Sequence, residues 1–152
     1  MFARHLPLLT TVLSLLANFS LMAATPDQEK AFVEAYKKAF EAKDEKALKG
    51  FLYTKDAHPM ALEFYTMMIT EGAGAKNATF ELVDLTPAEK KEAISVQEGP
   101  DGAKVKMPLK PIKKLIINVA TAEAGNTSNS TSQIYIAESG DKLVIPIPVP
   151  AQ

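Results

Sequence analysis

The chain has no cysteine and no tryptophan, and its 152 residues include one arginine, Arg4, and two histidines, His5 and His58. Without thiols it has no disulfide to staple it and no anchor for a lipid, so any fold must rest on its apolar core. A lone histidine beyond the first turn of sequence, with no cysteine, is too few N or S ligands for zinc or another transition metal, and no cofactor motif is present. The missing arginines remove the planar fork that recognises phosphate, carboxylate or guanine in two-pronged fashion. A formal net charge of −1 also lacks the basic footprint of a nucleic-acid binder.

What is present begins with a leader. Met1 to His5 is short and basic, Leu6 to Met22 is uncharged and mostly apolar, and the small pair Ala23-Ala24 precedes a polar, acidic stretch. This is the layout of a secretory signal peptide, cut after Ala23 or after Ala24. The rival reading is a single membrane anchor, against which stand Pro7, Thr10, Thr11, Ser14, Asn18 and Ser20 inside the run. The expectation is therefore residues 1–24 as signal peptide and 25–152 as one exported domain, periplasmic or secreted, with no integral span in its mature form. Removing the leader takes away Arg4 and no acid, leaving 16 lysines against 18 Asp and Glu, a net of −2.

The mature region reads as helices followed by strands. Thr25-Pro26-Asp27-Gln28 is a helix start with a capping box, and Phe32, Ala35, Tyr36, Ala39 and Phe40 then fall on one face to about Ala42. Asp44 caps a short second helix carrying Ala47, Leu48, Phe51 and Leu52. Asp56 or His58 stands at the cap of a third, with Pro59 at its first position and an end at Gly72. Ala78 to Leu85 is a strand, Thr86-Pro87-Ala88-Glu89 is a second capping box, and Gly99-Pro100-Asp101-Gly102 is a turn. Strands are expected over Lys104 to Leu109, Lys113 to Thr121, Gln133 to Ala137 and Leu143 to Val149, the second of these central and buried on most of both faces. Ala124 to Thr131 reads as a polar loop and Ser139-Gly140-Asp141 as a hairpin turn. Pro146, Pro148 and Pro150 remove donors from one edge, which marks the last strand as a sheet edge.

This gives α+β architecture: three N-terminal helices packed on a curved, mostly antiparallel sheet. The aromatic stripe of helix 1, the turn Glu41-Ala42-Lys43-Asp44-Glu45-Lys46-Ala47-Leu48, the phrase Tyr53-Thr54-Lys55-Asp56-Ala57 and the closing Gly140-Asp141-Lys142-Leu143-Val144-Ile145 resemble the NTF2-like superfamily. The resemblance implies a cystatin-like cone in which a curved sheet wraps a long helix around an apolar pocket. It spans most of residues 27–147. Members include ketosteroid isomerases and polyketide cyclases, whose pockets carry an Asp or His base, and many non-catalytic proteins. The chain departs from them at Leu143, where tryptophan is frequent, and in having few inward-facing acids.

The candidate chemistry is sparse, and each candidate has a plain structural alternative. Asp56 and His58 could form a general base at a pocket mouth, or simply cap helix 3. Tyr36, Tyr53, Phe64, Tyr65 and Met68 could line a pocket for a small apolar ligand, or be core; Met60 and Met67 belong to the same question. Lys104, Lys106, Lys110, Lys113 and Lys114 could meet a lipid or glycan anion, or be the wet face of strands. Asn77-Ala78-Thr79, Asn126-Thr127-Ser128 and Asn129-Ser130-Thr131 have the form of glycosylation acceptors. The expectation is a binding or interaction module with an apolar pocket or a sheet face for a homodimer. An isomerase or cyclase is the first alternative and an anionic-surface binder the second.

Overall fold

Strand β5, Pro111–Glu123, expected at the centre of the sheet, is one place off it: in the computed structural model, which describes residues 23–99, 101–123 and 126–152, it is the fourth of five strands, and the strand that follows it in sequence holds the middle. The chain order is α1 (Pro26–Glu41), α2 (Glu45–Lys49), β1 (Leu52–Tyr53), α3 (Pro59–Thr70), β2 (Ala78–Asp84), α4 (Pro87–Ala93), β3 (Gln97–Glu98), β4 (Lys104–Lys106), β5, β6 (Asn126–Ser139), β7 (Lys142–Pro146) and β8 (Val149–Pro150). The large sheet runs β1-β7-β6-β5-β2 and a small one β3-β4-β8. The class is α+β as expected; the described residues contain four helices, α4 being the one that the Thr86 capping box starts, and the large sheet is mixed, with β1 parallel to β7 and its other pairings antiparallel. Residues 1–22, expected to form most of a leader, Pro100 of the expected turn, and Ala124 and Gly125 of the expected loop lie outside the described residues.

Local sequence explains the helix ends. Thr25 and Thr86 each accept from the third helical N–H while Gln28 and Glu89 reach back to the cap nitrogen, so both capping boxes form. Asp44 caps α2 through the Ala47 N–H. That helix stops at Lys49, and Leu52 belongs to β1 instead, because Phe51 O and the two residues after it are taken by the edge of β7. Glu71 closes α3, and Gly72 turns away at φ +73.

One face of β5 carries Leu115 and Ile117, buried against Phe32, Tyr36, Ala39 and Phe40 of α1. Ala35, expected in that stripe, is exposed. Ile134 and Ile136 of β6 and Leu143 and Ile145 of β7 extend the same apolar surface, and burying each such side chain contributes about 1.5–3 kcal/mol. Phe40 meets Phe80 edge-on at 5.3 Å between ring centres, and Tyr36 meets Phe51 at 5.3 Å. The opposite face of β5 is more open than expected of a doubly buried strand: Ile116 is half-buried and Asn118 exposed.

Three strand assignments change. Asn126 to Thr131 is not a loop but the first part of β6, paired with β5 as far as Glu123↔Asn126. Its Ser/Thr/Asn composition has no apolar alternation to mark a strand, yet pairing with β5 satisfies its backbone. The Lys104 to Leu109 strand shrinks to Lys104–Lys106 with only Val105 buried. Leu143 to Val149 is split between two sheets. Ile145 N–H donates to Phe51 O at 2.8 Å, so β7 is not an edge: β1 covers that side. By strand alternation the missing donor of Pro146 faces β6, and pairing with β6 ends at Val144.

Consecutive lysines on opposite faces of β5 each fasten a helix. Lys113 bridges Glu29 of α1 at 3.0 Å and Asp84 of β2 at 2.9 Å. Lys114 pairs with Glu89 of α4. The hydrogen bond from Lys114, and then that from the Thr86 N–H, hold the Glu89 carboxyl at about 2, below its ordinary 4.5. A carboxylate depressed in the folded state stabilises fully above its unfolded value and loses that contribution as pH falls through the folded one. We therefore expect the urea midpoint to fall between pH 4.5 and about 2, and Glu89→Gln to flatten that fall; an identical acid profile in the variant would contradict the assignment.

Candidate functional site

Where β6 continues past its isoleucines the inward positions become serine. On β6 the side chains facing α1 run Ile136, Ile134, Ser132, Ser130, and the register sets Ser132 opposite Ile117 and Ser130 opposite Val119. Two small hydroxyls at positions where isoleucine would fill the space leave a half-open cleft of about 230 Å³ between the sheet and the end of α3. Its floor is Phe40, Met68, Ile117 and Val119, and Glu71 and Gly72 form its rim beside the serines. Glycine at 72 is favoured by its φ of +73, since a Cβ there would make only ordinary contacts, 3.5 Å from Val119 Cγ2 and 3.6 Å from Phe40 Cζ. The cleft offers apolar contact with two hydroxyls and one carboxylate at its edge, and it is smaller than the roughly 300–1,000 Å³ of sites for drug-sized ligands.

Of the residues expected to line a pocket, only Met68 does so here. Tyr36 is fully buried in the α1 core, and its hydroxyl has no partner among the described residues. Burial pushes its ionisation well above the usual tyrosine value. Tyr65 is half-buried and pushed up to about 12 by burial, with Tyr135 adding to the shift. Tyr53 is half-buried in β1. Phe64 is 47% exposed and, with Met60 and Met67, lies on the outer face of α3. Ser130 is missed because its segment reads as a low-complexity loop, and Ser132 because it falls between that loop and the strand expected from Gln133; the alternation Ser130, Ser132, Ile134, Ile136 is the signal that marks them.

The acid beside His58 is not Asp56. Asp56 is exposed at φ +55, whereas His58 Nε2 lies 3.2 Å from Asp101 Oδ2 in the turn between β3 and β4. His58 occupies the cap position of α3 without capping it through its side chain, and its backbone N–H donates to Pro148 O at 2.9 Å. These two bonds tie α3 to the small sheet. The other ring nitrogen, Nδ1, is buried without a partner among the described residues, and the imidazole is no part of the cleft.

The five lysines do not form one surface. Lys113 and Lys114 point to opposite faces of β5 and are each engaged by carboxylates, while Lys104, Lys106 and Lys110 are exposed. Asn77 and Asn129 are exposed and flank a shallow depression with Thr79, Asn118 and Thr131, in which Thr131 Oγ1 donates to Asn118 Oδ1 at 2.7 Å. The Asn126 side chain lies outside the described residues. Among the described residues no group of three or more His, Asp or Glu is placed to hold a metal ion, and no helix is long and apolar enough to cross a membrane. Compared with protein-family models, curated proteins and solved structures, the chain has no match.

Two measurements follow from this geometry. An unpartnered hydroxyl buried in a core costs about 1–3 kcal/mol, so Tyr36→Phe should leave the protein at least as stable, with a gain of about 1 kcal/mol in urea unfolding; a loss of that size would mean the hydroxyl is bonded. Neutral His58 should carry its proton on Nε2, donated to Asp101, and ring ¹⁵N shifts showing the Nδ1 tautomer would contradict this.

Proposed function

We propose that the chain works outside the cytoplasm, in the periplasm or as a secreted protein, as a non-catalytic module that binds a small apolar molecule in the cleft between α3 and the β5–β6 face. The observation that carries this reading is the change from Ile134 to Ser132 on the inward side of β6, which opens a cleft with an apolar floor beside the packed core. The ligand class is a compact apolar body with one hydroxyl or amine end. The body meets Phe40, Met68, Ile117 and Val119, and the polar end meets Ser130, Ser132 or Glu71. The NTF2-like cone is the fold we propose for it, supported by α1 lying along the face of a sheet that runs from β1 to β2. An isomerase or cyclase working through Asp56 or His58 lacks support from the geometry, because neither residue stands at this cleft. An anionic-surface site would have to rest on Lys104, Lys106 and Lys110, since Lys113 and Lys114 already hold carboxylates.

Native mass spectrometry of the protein recovered from its export compartment tests the reading. A few hundred daltons of added mass, released on unfolding, are expected for the wild type. In Ser132→Phe, which fills the cleft, that mass should be lost while the circular dichroism stays native. A clean apo mass for the wild type, or an adduct that survives in the variant, would overturn the proposal.

A further inference from the structure

Ala24 is half-buried although its neighbours Ala23 and Thr25 are exposed. Its methyl packs against the main core, and its backbone nitrogen donates to Glu138 Oε1 near the end of β6. The two lie in a small crevice with Gln28 and the β6–β7 turn, where Gln28 Nε2 donates to Asp141 O at 3.2 Å. Glu138 forms no ion pair with a side chain among the described residues, although Lys142 lines the same crevice. A half-buried carboxylate whose partner is a neutral amide is weakly compensated; a cation at that nitrogen would compensate it far better.

We propose that the leader is cut between Ala23 and Ala24, and that the ammonium so created on Ala24 pairs with Glu138, fastening the start of α1 to the end of β6. The proposal rests on residues 1–24 being a leader, and it chooses between two cuts that the sequence leaves open. Hydrolysis by a leader peptidase adds one water across the Ala23–Ala24 amide. Ala23 departs as a carboxylate, and the Ala24 nitrogen takes up protons to become the ammonium.

The alternative cut, after Ala24, is disfavoured by two observations. It would discard the packed Ala24 methyl together with its Glu138 contact. It would also set the new charge on the Thr25 nitrogen, which already donates to Gln28 Oε1 at 2.8 Å in the capping box. That nitrogen lies directly at the positive end of the α1 dipole, where a further positive charge is unfavourable. On Ala24 the charge stands one residue farther out and faces a carboxylate, with Asp27 and Glu29 in the adjoining helical turn.

N-terminal sequencing and intact mass of the exported protein decide the cut. A chain beginning at Ala24 is expected, and one beginning at Thr25 overturns this inference while leaving the export reading intact. A retained leader overturns both, and neither result bears on ligand binding in the cleft. The ion pair has its own readout. In the chain beginning at Ala24, Glu138→Gln should raise the unfolding equilibrium constant roughly fivefold to tenfold. In the same chain with its α-amine acetylated, the substitution should have much less effect. An equal effect in both forms would mean that Glu138 serves only as an acceptor for an amide.

Discussion

The two-residue alternation of β5 is the constraint on which the rest of the molecule depends. Successive side chains of a strand point to opposite faces. Lys113 therefore reaches α1 and β2 while Lys114 reaches α4, and Leu115 and Ile117 seal the α1 side while Ile116 and Asn118 look outward. A slip of one residue in its pairing would exchange these faces, moving both helix ties and the core at once. The antiparallel partners on either side, β2 through Ala78↔Val119 and β6 through Leu115↔Ile134, hold that register.

The candidate site is a local departure from the packing that β5 organises. Along β6 the inward side chains change from isoleucine to serine, so the core does not close beneath the end of α3. Gly72, at φ +73, then turns the chain after α3 beside Val119 and Phe40. Apolar floor and polar rim are thus products of one strand's composition changing midway along its length. The functional weight we assign to this cleft comes from that contrast with the filled space around Tyr36 and Phe40.

The C-terminal stretch shows how one residue type can serve two purposes. Prolines at 146, 148 and 150 leave strand donors on one side only, which ends the pairing of β7 with β6 and lets the chain leave the large sheet. The same path carries Pro148 to the His58 N–H and then Val149 to Lys106, so the small sheet, α3 and the end of the chain are joined in one short stretch. A histidine that looks like a catalytic base in sequence is, in the fold, a fastener between α3 and the turn at Asp101.

What the sequence by itself determined is what local chemistry determines. Helix starts at Thr25, Asp44 and Thr86, the α1 stripe from Phe32 to Phe40, the strand nature of 113–121 and the tight turn at Gly140 depend on residues within a turn or two of one another. Their signals are capping side chains, periodicity and a positive φ. Only the tertiary structure decided that Asn126 to Thr131 is strand, that His58 answers to Asp101 rather than Asp56, and that the lysines near position 110 divide between two faces. It alone brought Ser130 and Ser132 beneath α3 and Ala24 against Glu138. Each of these depends on partners far apart along the chain, and the free energy of pairing a backbone or meeting a distant charge leaves no mark on the neighbouring residues from which a sequence is read.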